Sequence, residues 1–130
     1  MDKKTISSTF NHNVFDLIKQ LIEWIPSEPK LKDYHSQLDL VRKANPKMIN
    51  KTLHQYLLLP YNQVIQESNF DKFIKTLLES DMYLNNKKDY EELVEQLLKP
   101  IMVLSDEQKN DIMRRFLKLL QLSFMLNEGK

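Results

Sequence analysis

The near absence of glycine restricts the fold of this chain more than any other feature of its sequence. The single glycine, Gly129, stands next to the last of the 130 residues. Tight hairpin turns and the loops that cradle phosphate groups rely on glycine, because they need backbone conformations with positive φ. A β-rich or α/β domain without internal glycine would be very unusual, and glycine-rich phosphate-binding motifs are excluded. We therefore predict an all-α fold.

The composition narrows the class of protein further. Hydrophobic residues make up 42% of the chain and charged residues 28%, which is typical of a globular domain. The absence of cysteine excludes disulfides, thiolate metal sites and cysteine nucleophiles. No apolar run approaches the roughly 20 residues of a membrane span, and the N-terminus lacks the apolar stretch of a secretory signal. We expect a soluble, intracellular protein without a cofactor and without a membrane partner.

Apolar side chains at helical spacing predict a compact, bundle-like domain of about six helices. Residues 1–12 are polar and are expected to form a flexible N-terminal segment, followed by a single helical domain over residues 13–130. The first helix is predicted from about Asn13 to Ile25, and the second from about Pro29 to Ala44. The last helix, from Asp106 to about Leu126, has an apolar face that extends around more than half of its circumference. We expect this helix to be central and to pack against the first one.

Prolines and capping residues predict where the remaining helices begin and end. Asn45-Pro46 favours a helix start, because asparagine caps a helix and proline suits its first turn. The apolar positions of that third helix are Ile49, Leu53, Tyr56 and Leu57, and Pro60 is expected to bend or end it. Further helix starts are predicted at Asn69, at Asp89 and at Ser105, where Gln108 completes a capping box, with a loop at Asn85–Lys88 and a helix end at Pro100.

Three segments occur in an order that is known from another group of proteins. FDLIKQLIEWIP (Phe15–Pro26) ends in an aromatic-proline step, and LHQYLLLPYNQVIQESNFDKFI (Leu53–Ile74) passes through a Pro-Tyr step into a Phe-containing segment. LSDEQKNDIMRRFLKLLQLSFML (Leu104–Leu126) places a Leu-Ser-acid cap before a long apolar helix. Together they resemble a family of small all-helical proteins encoded by large nucleocytoplasmic DNA viruses. The resemblance implies a viral protein of the host cytoplasm, the viral factory or the virion, and no activity is established for the family.

The predicted apolar faces are wider than a compact six-helix domain requires, which points to an interface. The surplus lies on Val14–Ile25 and on Phe116–Met125, and aromatic side chains are common anchors in protein interfaces. The candidate interface residues are Trp24, Tyr56, Tyr61, Phe116, Leu120 and Phe124. The leading hypothesis is a non-enzymatic interaction or structural protein whose partner is another protein or a second copy of the chain.

Clustered lysines and arginines support an alternative function, in nucleic-acid binding or as a transcription accessory factor. Lys43, Lys47 and Lys51 recur every four residues and share one edge if Asn45-Pro46 only kinks the helix. Arg114 and Arg115 form a second group, and such clusters are what phosphate contacts require. Against this function, the net charge is only +1 and no known nucleic-acid-binding motif is present.

The histidines and acids do not form a recognisable catalytic or metal-binding motif. His12, His35 and His54 are isolated from one another, and none belongs to an HExxH pattern. His35 is expected to bond Asp39, which follows four residues later. The acid clusters at Glu91, Glu92 and Glu95 and at Asp106, Glu107 and Asp111 fall in first turns of predicted helices, where the helix dipole favours acids. We therefore predict that the protein is not an enzyme and holds no metal.

Overall fold

The computed structural model describes residues 2–80, 85 and 99–127, and these contain helices and no strand. The prediction of an all-α fold is confirmed. The described elements are α1 (Lys3–Trp24), α2 (Lys30–Ala44), α3 (Pro46–Leu53), a π-helical segment (His54–Leu58), α4 (Asn62–Gln66), α5 (Phe70–Leu78), α6 (Lys99–Met102) and α7 (Asp106–Asn127). None of the described helices is both long enough and apolar enough to cross a lipid bilayer.

The two longest described helices, α1 and α7, pack along each other and form the centre of the fold. Helices α2 and α3 pack on α1, whereas the π-helical segment, α4 and α5 pack on α7. The side chains between these layers include some of the most deeply buried ones, among them Phe10, Leu58, Ile65, Met113 and Leu119. The prediction that the C-terminal helix is central and packs against the first helix is thus confirmed.

Helix α1 begins ten residues earlier than its sequence pattern suggests. The Asp2 carboxylate accepts a hydrogen bond of 2.7 Å from the backbone N–H of Thr5, which caps the helix. This backbone bond holds the pKa of the Asp2 carboxyl group below its ordinary value. Ile6 and Phe10 are buried and lie at four-residue spacing from Val14, so they continue the apolar face of α1. The polar stretch that was expected to be a flexible segment over residues 1–12 thus belongs to α1 from Lys3 onward and contributes two core residues.

Asn45 separates α2 from α3. Its backbone is extended (φ −153°, ψ 90°), and its side-chain oxygen accepts a bond of 3.3 Å from the N–H of Lys47. Pro46 then occupies the first position of α3, as predicted. The buried Asn11 of α1 donates a bond of 2.9 Å to the Pro46 carbonyl oxygen and so attaches the start of α3 to α1. Helices α2 and α3 are therefore separate helices and not one kinked helix.

The helix that begins at Pro46 widens before Pro60. The N–H of Leu59 bonds the carbonyl oxygen of His54 at 3.0 Å, which is a five-residue spacing instead of the α-helical four. Proline has no N–H, and its ring clashes with the carbonyl group four residues earlier in a regular helix. The prediction that Pro60 bends or ends the helix is confirmed, and α4 begins at Asn62.

The connections between the other helices use the predicted caps and a serine in place of glycine. Ser68 adopts a φ of 54° between α4 and α5, a left-handed conformation that glycine would adopt more easily. Asn69 caps α5 by accepting a bond from the Lys72 N–H at 3.1 Å. Ser105 and Gln108 form the predicted reciprocal capping box of α7, with bonds of 2.9 and 3.1 Å.

Two sequence predictions fall on residues that the structure does not describe. The predicted loop at Asn85–Lys88 lies outside the described residues except for Asn85, and the predicted helix from Asp89 lies outside them as well. Pro100, the predicted end of that helix, belongs to the short helix α6.

Candidate functional site

The inner face of α3 and the π-helical segment is held to α7 by polar side chains. The amide nitrogen Nδ2 of Asn50 donates to the hydroxyl oxygen of Ser123 at 3.0 Å, and the same hydroxyl lies 2.7 Å from Nδ1 of His54. Nδ2 of Asn127 donates to Oδ1 of Asn50 at 3.3 Å and to the Ser123 carbonyl oxygen at 2.7 Å. These four side chains form a connected network across the helix interface, which we call the inner polar cluster.

The inner polar cluster has the composition of a catalytic site but not its accessibility. A serine beside a histidine is the arrangement of an activated nucleophile. Ser123, however, is 0% exposed, and its hydroxyl oxygen already accepts the bond from Asn50. The same hydroxyl group is within hydrogen-bond distance of the His54 ring, so its bonding capacity is used within the fold. The cluster therefore satisfies buried polar groups and fixes how α3 sits on α7, but no substrate atom can reach the hydroxyl group.

The solvent side of the same segment exposes three large apolar side chains beside the polar side chains of Lys47, Lys51, Thr52 and Gln55. We define the outer face as Met48, Thr52, Tyr56 and Leu59, which follow one another at spacings of four, four and three residues. Met48 is 44% exposed, Tyr56 53% and Leu59 47%. Large apolar side chains are therefore exposed at both ends of a stretch of about 16 Å, with Thr52 between Met48 and Tyr56. The core side of the segment is apolar in the usual way, with Ile49 and Leu58 buried, so the unusual feature is only that its solvent side carries large apolar residues beside polar ones.

The charge around the outer face is positive and is not balanced locally. Between Asp39 and Glu67 the chain has no acidic residue. Lys47 and Lys51 are exposed on α3, and neither has an ion-pair partner among the described residues. Since they are four residues apart and Lys51 follows Met48 by three, the two lysines line one edge of the outer face.

Arg42 and Lys43, at the end of α2, differ from Lys47 and Lys51 because both pair with a nearby acid. Asp39 bonds both Arg42 and Lys43, the latter at 3.1 Å. The bond from Lys43, together with that from Arg42, holds the pKa of the Asp39 carboxyl group below its ordinary value. The guanidinium of Arg42 also lies 4.2 Å from the centre of the Phe15 ring. These two cations are thus engaged within the fold.

The five residues predicted to contact nucleic acid lie on three helices. Lys43 belongs to α2, while Lys47 and Lys51 belong to α3 beyond the break at Asn45, so the single kinked helix on which a shared edge depended is not formed. Arg114 and Arg115 both pair with Asp111 of their own helix, at 3.5 and 3.1 Å. Lys47 and Lys51 remain as the unpaired cations of the predicted set within the described residues.

The six predicted interface residues fall into three groups. Tyr56 and Phe124 are exposed, and the Phe124 ring packs edge-on against His54 at 6.0 Å. Trp24, Tyr61 and Phe116 are half-buried and pack against the core. Leu120 is 1% exposed, so its assignment to an interface is wrong: it faces the centre of the fold. The predicted surplus of apolar surface on α7 is therefore mostly core.

A shallow groove lies beside Pro60, where α4 meets α5. It has a volume of about 340 Å³ and is lined by Pro60, Tyr61, Gln63, Val64, Glu67, Lys72 and Thr76. Glu67 and Lys72 pair with each other across it at 2.7 Å, and the Tyr61 ring packs edge-on against Phe73 at 6.2 Å. The charged groups of the groove are thus engaged with each other.

The remaining histidines and acids are dispersed. His12 pairs with Asp16 at 3.2 Å. The predicted bond between His35 and Asp39 is not formed, because the His35 ring packs edge-on against Phe15 at 5.1 Å and Asp39 bonds the cations at the end of α2. Within residues 2–80 and 99–127, no group of three or more histidine, aspartate or glutamate side chains is arranged to hold a metal ion.

Of the outer face, Tyr56 is among the interface residues predicted from the sequence, whereas Met48 and Leu59 are not. Two signals were available in the sequence. One is the long stretch without an acid, which leaves Lys47 and Lys51 uncompensated. The other is the presence of polar Asn50 and His54 at four-residue spacing, which indicates that this face finds polar partners elsewhere in the fold.

Comparisons with known proteins assign no family to the chain. No protein-family model matches it, and neither the curated proteins nor the solved structures yield a match. The resemblance to small helical proteins of large DNA viruses stays a prediction that its sequence motifs alone support.

Proposed function

We propose that this protein is a non-enzymatic interaction protein that binds another protein through the outer face of α3 and the π-helical segment. The observation that carries the proposal is the exposure of Met48, Tyr56 and Leu59 on one side of a helical segment, with Tyr56 and Leu59 one turn apart. Contiguous apolar surface is costly to leave in water, and on folded monomers it marks interaction sites. Tyr56 is suited to an interface because its ring is apolar and its hydroxyl group bonds polar atoms.

Other exposed apolar side chains support the proposal less well. Leu40 on α2 is 68% exposed, but its neighbours at helical spacing are Ser36, Gln37, Lys43 and Ala44. A single exposed leucine among polar or small residues is ordinary for a soluble domain. The outer face differs because Tyr56 and Leu59 lie one turn apart and Met48 lies on the same side beyond Thr52.

The π-helical segment gives this surface a defined shape. Widened turns of this kind often occur at functional sites, because they change which side chains a helix presents. Here the widening lies between the inner polar cluster and Pro60, and it carries Tyr56 on the exposed side. The inner polar cluster fixes the segment on α7, so that the outer face does not have to be ordered at the moment of binding.

Nucleic-acid binding has weaker support as a second candidate function. The observation in its favour is the pair of uncompensated lysines, Lys47 and Lys51. Two phosphate contacts provide little affinity, and the exposed side chains between them are apolar. A gel-shift titration at low salt tests this function, because binding to phosphates is strongest there.

The resemblance to proteins of large DNA viruses suggests where the proposed interaction takes place. If the chain is a protein of a large DNA virus, its partner is a protein of the infected cell or of the virion. The support for this setting is the order of the three sequence motifs that end at Pro26, Ile74 and Leu126.

Site-specific photo-crosslinking tests the proposed function. A benzoylphenylalanine residue placed at position 56 should form covalent adducts in the cells that express the protein, whereas the same residue at position 40 should not. Mass spectrometry of the adducts then distinguishes a second copy of the chain from a different protein. Equal adduct yields from both positions, or a strict monomer in sedimentation with no adduct from position 56, would contradict the proposal.

A further inference from the structure

We infer that the partner of the outer face is an acidic amphipathic helix of another protein. This inference rests on the proposed function and adds the chemistry of the partner to it. The outer face runs through three helical turns, from Met48 to Leu59, over about 16 Å. A partner helix of similar length lays one apolar stripe along such a surface.

The positive charge at one edge of the outer face favours a partner with negative charge. Lys47 and Lys51 line one edge, and no acid of the described chain pairs with either. The opposite edge has no lysine to match, because Ile49 is buried there and Leu53 and Leu57 are half-buried against the core. A partner with carboxylates along one side of its apolar stripe complements this asymmetry, and a basic partner is repelled by it.

Two other pairs of neighbouring cations in the fold each share one acid. At the end of α2, Arg42 and Lys43 share the carboxylate of Asp39. In the middle of α7, Arg114 and Arg115 share that of Asp111. Lys47 and Lys51 share no such acid within the described residues, so carboxylates of a partner can pair with them.

Two other classes of partner fit the outer face less well. An anionic membrane surface is bound by helices with a broad apolar face and many cations, whereas this segment exposes three large apolar residues and two lysines. Nucleic acid requires phosphate contacts on most of the surface, which Met48, Tyr56 and Leu59 cannot make. Both classes enter the test as competing outcomes.

The test uses the full chain and two synthetic helical peptides with identical leucine stripes at i, i+3, i+4 and i+7. One peptide carries glutamates along the edge of its stripe, and the other carries lysines at the same positions. Fluorescence anisotropy should show that the glutamate peptide binds at least about tenfold more tightly, since two charge pairs are involved. Raising the ionic strength from about 0.05 M to about 0.5 M should reduce that preference, because screening shortens the range of the charges.

Three variants show which residues produce the preference. In K47E/K51E the lysine peptide should bind more tightly than the glutamate peptide. In the control K75E/K118E, which changes the net charge equally at exposed sites on α5 and α7, the original preference should persist. In M48Q/L59Q both peptides should lose affinity, because the apolar contact is removed.

The outcomes separate this inference from the proposed function. Equal binding of both peptides, unaffected by K47E/K51E but lost in M48Q/L59Q, would overturn the acidic partner and leave the outer face as a protein-binding surface. Tighter binding of phosphatidylserine vesicles or duplex DNA than of the glutamate peptide would overturn the inference as well. So would a dimer in sedimentation that M48Q/L59Q dissociates, since a second copy would then be the occupant.

Discussion

The inner and outer faces of α3 and the π-helical segment differ in whether the fold supplies partners for their side chains. The inner face buries Asn50 and contacts α7 through His54, while the outer face exposes Tyr56 and Leu59 to solvent. Buried polar groups cost little when each has a partner, and here Ser123 and Asn127 supply partners. An exposed apolar side chain has no such compensation within the fold. Contacts within the fold therefore account for the polar side chains of the inner face, but they do not account for the apolar side chains that the outer face exposes.

Substitutions of the adjacent Leu58 and Leu59 test most directly whether the inner and outer faces differ. Leu58 is 0% exposed on the inner side, and Leu59 is 47% exposed on the outer side. Leu58→Ala should lower the free energy of unfolding by about 3 kcal/mol, because it leaves a cavity in the core. Leu59→Ala should change it by less than about 0.5 kcal/mol. Urea unfolding followed by circular dichroism measures both, and equal losses would mean that the two faces are not distinct.

The inner polar cluster predicts a smaller but specific loss of stability. Ser123→Ala should lower the free energy of unfolding by about 2 kcal/mol, because Asn50 and His54 then lose a partner in a buried place. Thr52→Ala, an exposed change on the outer face, serves as the control and should stay within about 0.5 kcal/mol. If Ser123→Ala were as stable as the wild type, the cluster would not hold α3 on α7.

The smallest predicted effect concerns the cations on either side of Asn45. Lys43, followed by Arg42, lowers the pKa of Asp39 in the folded state. A lowered pKa means that Asp39 stabilises the fold at pH values above its unfolded pKa, and that this contribution is lost as the pH falls through the folded pKa. Asp39→Asn should therefore be less stable than the wild type at neutral pH, and the difference should shrink in acid.

Lys47→Gln is the matched control for the acid titration. Lys47 has no acidic partner in the part of the chain that the structure describes, so its replacement should give a difference from the wild type that does not depend on the Asp39 titration. Unfolding curves at several pH values compare the variants. A difference for Asp39→Asn that stays constant in acid would show that the ion pairs at the end of α2 contribute nothing.

Local signals in the sequence were sufficient to predict much of the fold. The caps at Asn45, Asn69 and Ser105 act through residues two or three positions away, so they can be recognised from short stretches of sequence. The missing internal glycine excluded strand turns and led to the all-α prediction. The central position of α7 followed from the width of its apolar face.

Contacts between distant residues could not be predicted in the same way. Asn50 and Ser123 are 73 positions apart, and nothing local indicates that they bond. The sequence places Tyr56 both among the apolar positions of the third helix and among the candidate interface residues, because apolar spacing alone does not show which side chains meet the rest of the fold. Ile6 and Phe10 were overlooked because polar residues surround them, although their spacing continues the face of α1. The position of the candidate site thus depends on tertiary contacts that only the structure shows.

Methionine methyl NMR tests the central claim most directly, because three methionines are almost equally exposed at different places in the fold. Met48 lies on the outer face and is 44% exposed, whereas Met102 and Met125 lie elsewhere and are 44% and 45% exposed. On titration with the glutamate peptide, the Met48 methyl resonance should shift and broaden while those of Met102 and Met125 stay unchanged. Equal shifts of all three, or a shift at Met102 or Met125 without one at Met48, would contradict the assignment of the outer face as the binding surface.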